Sequence, residues 1–158
     1  MAMAHGISSF LQEHRIPFEV FWHKYADTSL RAAHEAGLPA RQVVKAVVLV
    51  CEGKPLMVLV PASKMIDMAA MEDYVGGPTS LADPAQFEPL FADCEPGCIP
   101  VTGPAYGFIT FLDEDLARAE DLYFSAGDKE EMIHVKGRLF RQAIGPVYIG
   151  EFSRPAMQ

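Results

Sequence analysis

The chain has 158 residues, half of them hydrophobic and 22% charged, which is typical of one globular domain. It holds 13 Lys and Arg against 21 Asp and Glu, and a net charge of −8 argues against a protein that coats DNA or RNA through bulk charge. No apolar run approaches the roughly 20 residues of a membrane span, and residues 1–6 lack the pattern of a signal peptide, so we expect no membrane association.

The cysteines and the charge distribution further limit the class of protein and its partners. Cys94 and Cys98 are separated by three residues, and neither a second pair nor a histidine at zinc-finger spacing accompanies them. Because the cysteines do not form a disulfide framework, we expect the protein to be located in the reducing environment of the cytoplasm. The net charge is +1 in residues 1–54, −6 in residues 55–110 and −3 in residues 111–158. We therefore expect an anionic partner to meet the first and last thirds.

The first half of the chain predicts two helices, a strand and a hairpin. Ser8 or Ser9 is expected to cap a helix that Pro17 ends, and residues 18–22 form a strand. A second helix begins near Thr28 or Ser29 and ends at Gly37. The clearest pattern is a hairpin of two apolar runs, residues 43–51 and 56–60, whose composition predicts that both sheet faces are covered.

The second half predicts shorter elements. Helices are expected over residues 63–74, 85–91 and 137–144, and strands over residues 108–112, 122–125 and 132–135. Residues 93–107 form a loop dense in Gly and Pro. Hairpins and interspersed helices favour an α+β fold with a mixed β-sheet over a doubly wound parallel sheet. We expect a single domain over residues 1–145, followed by a C-terminal tail, residues 146–158.

The sequence contains none of four common catalytic or nucleotide-binding motifs: the serine-nucleophile elbow, the zinc-binding H-E-x-x-H, the Walker A loop and G-x-G-x-x-G. The first candidate site residue is instead Lys45, a charged residue within an apolar strand. Such a lysine either extends its stem to water from a strand end or places a cation at the wall of a cleft. Residues 95–103 are either a connecting loop or a backbone anion site in which glycines permit close approach. Cys98 in that loop is either a buried thiol or a nucleophile.

The segment 125–134 is the remaining candidate for a role in catalysis or binding. Strand alternation places His134 on the face of Met132 and Lys136, opposite Ile133 and Val135. If Ile133 and Val135 face the core, His134 faces solvent or a cleft.

These pieces in this order resemble the YbaK family of free-standing aminoacyl-tRNA deacylases, which is related to the prolyl-tRNA synthetase editing domain. The resemblance covers roughly residues 8–144. It rests on the K-x-hydrophobic strand at residues 44–49, the strand and proline at residues 58–61, the Gly- and Pro-containing loop at residues 97–103 and the glycine turn at residues 125–128. The loop is one residue longer after Pro100 than the common family pattern, and the segment after Gly127 is unusually charged.

The resemblance implies a strongly twisted mixed sheet surrounded by short helices. It also implies hydrolysis of the ester between a wrong amino acid and a tRNA, without metal or cofactor. Its partners would be the acceptor end of mischarged tRNA and an aminoacyl-tRNA synthetase, not DNA. The resemblance implies that Lys45 holds the phosphate of the terminal nucleotide and that the backbone near Gly97 holds the carbonyl oxygen. It also implies that His134 orients the substrate and that a ribose hydroxyl of the tRNA helps to position the water. The implied substrate-binding residues are Cys98, Ile99, Pro100, Gly103, Gly127 and Asp128.

Two other classes of function stay open at this point. One is a non-catalytic module of the same fold that binds tRNA ends or a nucleotide. The other is an interaction protein that uses the acidic middle third. The candidates for a local basic patch on this acidic chain are Arg31, Arg41, Lys45, Lys136 and Arg138.

Overall fold

A computed structural model describes residues 3–156. Residues 1, 2, 157 and 158, which are the ends of the predicted domain and tail, lie outside the described residues. The helices are α1 (His5–Glu13), α2 (Ser29–Ala36), α3 (Met68–Val75), α4 (Pro84–Phe87), α5 (Glu114–Arg118) and α6 (Gly137–Ala143). The strands are β1 (Glu19–Trp22), β2 (Val44–Cys51), β3 (Lys54–Pro61), β4 (Lys64–Ile66), β5 (Thr79–Leu81), β6 (Ile109–Asp113), β7 (Asp121–Ser125), β8 (Glu131–Lys136), β9 (Tyr148–Gly150) and β10 (Ser153–Pro155).

The largest sheet is mixed, with strand order β5-β2-β3-β6-β9. The predicted hairpin forms its centre, and β2 pairs with β3 from Val44–Pro61 to Cys51–Lys54. Glu52 and Gly53 both have positive φ, which is the geometry of a tight hairpin turn. Because β6 runs parallel to β3 and β9 runs parallel to β6, the α+β class and the mixed sheet are confirmed.

The remaining strands form two smaller antiparallel sheets. One has the order β1-β8-β7, and the other pairs β4 with β10. A single bridge between Val43 and Tyr123 joins the start of the hairpin to the three-stranded sheet. The large and the three-stranded sheets therefore meet near the beginning of β2.

The hairpin is covered on both faces, as its composition predicts. Val44 and Val48 belong to the core beneath α1 and α6, whereas Leu49, Val58 and Val60 belong to a second cluster with Met71 of α3. Successive strand residues point to opposite faces, so an uninterrupted apolar run is the pattern that two cores require.

The predicted start of the first helix is wrong. Helix α1 begins at His5, so Ser8 and Ser9 lie inside it and Ala4 is the N-cap, without a side-chain cap bond. Asp93, far along the chain, accepts the Gly6 N–H at 2.7 Å. A tertiary contact thus satisfies an amide that a local cap would otherwise hold.

The predicted helix over residues 63–74 is a strand followed by a shorter helix. β4 occupies Lys64–Ile66, and Asp67 caps α3 by accepting the Ala70 N–H. The partner of β4 is β10, almost 90 residues later in the chain, and Asp67 N–H donates to Phe152 O. Local apolar periodicity does not reveal such a distant partner.

The segment after residue 145, which the sequence analysis sets apart as a tail, contributes both β9 and β10. Phe152 is fully buried in the second core cluster. Asp113, itself 2% exposed, accepts the Phe152 N–H at 3.0 Å and the Ser153 hydroxyl at 2.7 Å. Within residues 3–156, no helix combines the length and the apolar character needed to cross a membrane.

Candidate active site

A pocket lies where α2, β2, the loop 95–103 and the turn 126–130 meet; we call it the Gly97 pocket, the loop the Gly97 loop and the turn the β7–β8 turn. Its apolar wall holds Val44 and Ala46, which share one face of β2 because they alternate along the strand. Three small or flexible side chains, Ala26, Ala32 and Met132, continue that wall. The polar lining includes His23, Asp27, Gly97, Ser125, Asp128 and Lys129.

The Gly97 loop is held in place by the β7–β8 turn. Glu95 N–H donates to Gly127 O at 2.7 Å, and the Glu95 carboxylate accepts the Lys129 N–H at 3.0 Å. Inside the loop, Cys98 N–H donates to Glu95 O at 2.9 Å, so this amide is already bonded. The N–H groups of Gly97 and Ile99, two residues that line the pocket, donate to no backbone carbonyl among residues 3–156.

Gly97 brings the loop backbone close to a cation. Its φ of 90° is one that residues with a side chain rarely adopt. A Cβ built at this position would lie 3.1 Å from Lys129 Nζ. The loop and the lysine are therefore neighbours because residue 97 has no side chain.

Lys129 is the cation of the pocket. Its ammonium lies 3.4 Å from the Tyr25 hydroxyl, 5.5 Å from the Tyr25 ring centroid and 3.9 Å from Asp27. The hydrogen bond with Tyr25 raises the pKa of Lys129 above its ordinary value, so the side chain keeps its charge. Lys129 is not among the predicted site residues, although the segment after Gly127 is unusually charged.

A pair of carboxyl groups stands behind the same turn. Asp128 is 2% exposed, and its Oδ1 accepts the N–H groups of Glu130 and Glu131 at 2.9 and 2.8 Å. Asp128 Oδ2 and Glu131 Oε1 are buried without a partner among residues 3–156. Burial, followed by a hydrogen bond with Asp128, raises the pKa of Glu131 to about 7. A proton shared between the two carboxyl groups accounts for both unpartnered oxygens.

His23 is a second pocket residue that the sequence analysis missed. It follows β1, is 5% exposed, and its Nδ1 lies 2.7 Å from Lys24 O. Since a carbonyl only accepts hydrogen bonds, Nδ1 carries a hydrogen, and in the neutral tautomer the lone pair is on Nε2. No sequence pattern separates this histidine from a surface one, because the pocket forms from distant segments.

The structure brings four of the predicted site residues together at the pocket: Gly97, Cys98, Ile99 and Asp128. Pro100 is buried in the Gly97 loop without lining the pocket. Gly103 lies against Thr110 and Met57, and Gly127, with a φ of 106°, lies against Ala4. A side chain at either glycine would collide with these neighbours, so both positions shape the loop and the turn from behind.

Lys45 lies outside the pocket. In the β2–β3 ladder it is opposite Val60, on the sheet face that carries the second core cluster, whereas Val44 and Ala46 face the pocket. Its Nζ donates to Lys64 O at 2.7 Å, and burial lowers its pKa below the ordinary value. The expectation that Lys45 and the Gly97 loop share a cleft does not match this placement, because strand alternation turns their side chains to opposite faces.

His134 also lies outside the pocket lining. Ile133 and Val135 face the core, and His134 stacks on Tyr123 at a centroid distance of 4.7 Å. Its Nδ1 lies 2.6 Å from Glu19 and its Nε2 lies 2.8 Å from Asp121. Because both ring nitrogens are bonded within the three-stranded sheet, neither is left for a substrate.

The thiols do not have the environment of a nucleophile. Cys98 lines the pocket, but burial raises its pKa above the ordinary value, and burial raises that of Cys94 to about 12. A thiol nucleophile needs the opposite shift. All three cysteines are free, and no group of three or more His, Cys, Asp or Glu within residues 3–156 is placed to hold a metal ion.

The expected basic patch is dispersed. Arg41 lines a different groove together with Lys64 and Arg118, and Lys136 is paired with Asp121 at 3.0 Å. Arg31 lies on the exposed side of α2. Among residues 3–156, only Lys129 places an ammonium in the Gly97 pocket.

The fold is similar to that of proteins with solved structures. The structure is similar to that of a "putative trans-editing enzyme for prolyl tRNA synthetase", with a TM-score of 0.78, 21% identity and coverage of 98% of this chain and 99% of that one. It is also similar to the hypothetical protein APE2540, with a TM-score of 0.78, 19% identity and coverage of 94% and 99%. No curated protein matches the sequence.

The family model of the aminoacyl-tRNA editing domain matches residues 23–143, a range that contains the whole Gly97 loop and the β7–β8 turn. The match begins at His23, so every pocket residue named above falls within it. The chain belongs to the aminoacyl-tRNA editing domain family.

Proposed function

We propose that this protein hydrolyses the ester bond of mischarged aminoacyl-tRNA in the Gly97 pocket. The observation that carries the proposal is the meeting of three features at one place. These are the Lys129 ammonium, the unbonded N–H groups of Gly97 and Ile99, and the apolar wall around Ala46. An ester hydrolase needs such donors where negative charge develops on the carbonyl oxygen.

The apolar wall receives the amino-acid side chain. Ala26, Ala32 and Ala46 each contribute only a methyl group, so space remains between α2 and β2. Val44 and Met132 complete the wall.

The polar side of the pocket receives the charged parts of the substrate. Lys129 pairs with the developing oxyanion or with the phosphate of the terminal nucleotide, a role that the sequence analysis gave to Lys45. No metal or cofactor takes part in the proposed reaction.

The partner is the acceptor end of the tRNA, since only the aminoacyl ester and its nearest phosphates need to reach the pocket. An aminoacyl-tRNA synthetase that delivers the mischarged tRNA is the further proposed partner. The net charge of −8 disfavours long contact with a polyanion and makes delivery by a second protein useful.

The deciding experiment is a deacylation screen against a panel of mischarged aminoacyl-tRNAs. We expect hydrolysis of at least one, and loss of most of that activity in Lys129→Met. Lys136→Met is the matched control, since Lys136 is a nearby exposed lysine that pairs with Asp121 and does not line the pocket.

Two results would contradict the proposal. Binding of tRNA ends without turnover of any substrate would indicate a non-catalytic binding module. Binding of a protein partner that survives both Lys129→Met and changes in the Gly97 loop, without deacylation, would indicate an interaction protein.

A further inference from the structure

We infer that His23 is the general base of the proposed hydrolysis, with Nε2 taking a proton from the attacking water. The inference rests on the proposed function and adds a catalytic group to it. It starts from a buried imidazole that lines the Gly97 pocket and has one nitrogen already fixed by the backbone.

The backbone holds His23 from two directions. Its N–H donates to Glu130 O at 2.9 Å, which extends the β1–β8 pairing by one residue and sets the position of the ring. Its Nδ1–H donates to Lys24 O at 2.7 Å, which sets the tautomer and the ring orientation. His23 is 5% exposed and lines the Gly97 pocket, and its Nε2 makes no hydrogen bond within residues 3–156. Nε2 is therefore the ring nitrogen that remains for a water molecule in the pocket.

The surroundings of the ring supply the other groups that the reaction uses. Lys129 from the β7–β8 turn brings the positive charge, and the N–H groups of Gly97 and Ile99 bring neutral donors. The remaining ionisable groups that line the same pocket are Asp27 from the segment before α2, Asp128 from the β7–β8 turn and Cys98 from the Gly97 loop.

The chemistry balances with these groups alone. The water oxygen bonds to the ester carbonyl carbon while one of its protons moves to His23 Nε2, and the carbonyl oxygen becomes an oxyanion next to Lys129. The C–O bond to the ribose then breaks as the carbonyl reforms, and the proton on Nε2 passes to the departing ribose oxygen. The products are a free amino acid and a tRNA with a free terminal hydroxyl, and His23 returns to its starting state.

Deacylation kinetics with His23→Ala and His23→Gln test this inference. A general base contributes about 10²- to 10⁴-fold, so we expect kcat to fall by that order while KM changes little. Free imidazole, added to His23→Ala, is expected to restore part of the lost kcat by occupying the space that the side chain leaves. His134→Gln is the matched control, since His134 bonds to two carboxylates outside the pocket and its loss should leave kcat near the wild-type value.

The outcomes separate this inference from the proposed function. A folded His23→Ala protein with kcat within about threefold of wild type would overturn the inference and leave the deacylase intact. A loss of kcat that imidazole does not rescue, in a variant with an unchanged melting temperature, would also overturn it by indicating that His23 positions other groups and does not itself transfer the proton. Wild-type protein that hydrolyses no aminoacyl-tRNA would overturn the proposed function itself.

Discussion

Lys45 and Lys129 differ in the direction of their side chains. The side chain of Lys129 reaches the Gly97 pocket, and that of Lys45 lies on the opposite face of β2. Lys45 belongs to the apolar strand β2, yet its ammonium bonds to Lys64 O on the far face of the sheet. Lys129 lies in a polar turn that resembles any solvated loop, yet its ammonium stands over Gly97. The type of residue is therefore a weaker guide to a site than the direction in which the backbone turns it.

We expect Lys45→Met to affect stability more than chemistry. The change keeps the apolar stem but removes the bond to Lys64 O, which should lower the free energy of unfolding by about 1 kcal/mol. Urea unfolding and the deacylation rate per folded molecule, measured beside Lys129→Met, check this. A Lys45→Met protein of normal stability that has lost activity as fully as Lys129→Met would show that Lys45 is the clamp implied by the family resemblance.

Glu131 gives a prediction about pH. Its pKa is raised from 4.5 to about 7 in the folded protein, so between these values the folded state binds a proton that the unfolded state has lost. Stability from this group should therefore fall as pH rises from about 4.5 to 7, and then level off.

The measurement is urea unfolding at pH 5 and pH 8 for the wild type, Glu131→Gln and the control Glu130→Gln. We expect the fall in stability between the two pH values to be smaller in Glu131→Gln than in the other two proteins. An identical fall in all three would show that the carboxyl pair does not hold a shared proton.

At the scale of elements, the C-terminal strands hold the middle of the chain in place. β10 converts residues 64–66 from a predicted helical turn into β4, and β9 extends the large sheet beside β6. Asp113 joins these parts by accepting bonds from Phe152 and Ser153 while also capping α5. A buried carboxylate with three donors ties the end of β6 to the end of the chain.

We expect Phe152→Ala to be strongly destabilising. Phe152 is fully buried, with its ring 4.8 Å from that of Tyr74 and 5.5 Å from that of Phe111, so truncation leaves a cavity in the second core cluster. The expected loss is about 3–5 kcal/mol in the free energy of unfolding.

Ile149→Ala in β9 is the control, since Ile149 is 53% exposed and its loss should cost well under about 1 kcal/mol. Urea unfolding measures both variants. Equal and small losses would mean that residues 146–158 behave as a detachable tail.

At the scale of the whole molecule, charge limits how tRNA can bind. The chain carries −8, and the cations outside the pocket are dispersed over separate surfaces or paired with carboxylates. Contact is therefore expected at the acceptor end, with few phosphates neutralised. Each phosphate contact contributes a slope of about 0.7–0.9 to log affinity against log salt.

We therefore expect a short acceptor-stem mimic to be deacylated nearly as fast as full-length tRNA, with a shallow salt dependence for both. Steady-state deacylation across a salt series measures this. An inert mimic beside a good full-length substrate would indicate recognition far beyond the acceptor end. The synthetase partner would then have to supply the missing basic surface.

The sequence by itself determined the features that depend on neighbours along the chain. Local composition and turn chemistry predict the hairpin at residues 43–60 and the Gly97 loop. They also predict the cap of α2 at Thr28 and its end at Gly37. The order of these pieces was enough to identify the editing family, which the family match confirms.

Only the tertiary structure decided which side chains share a pocket. His23, Ala46, Gly97 and Lys129 come from four separate segments, and their meeting depends on how the three-stranded sheet docks against the start of β2. The same docking leaves Lys45 and His134 outside the pocket, and the pairing of β4 with β10 depends on strands almost 90 residues apart. These contacts are formed by packing between distant residues, and local propensity along the chain carries no information about which distant residues will meet.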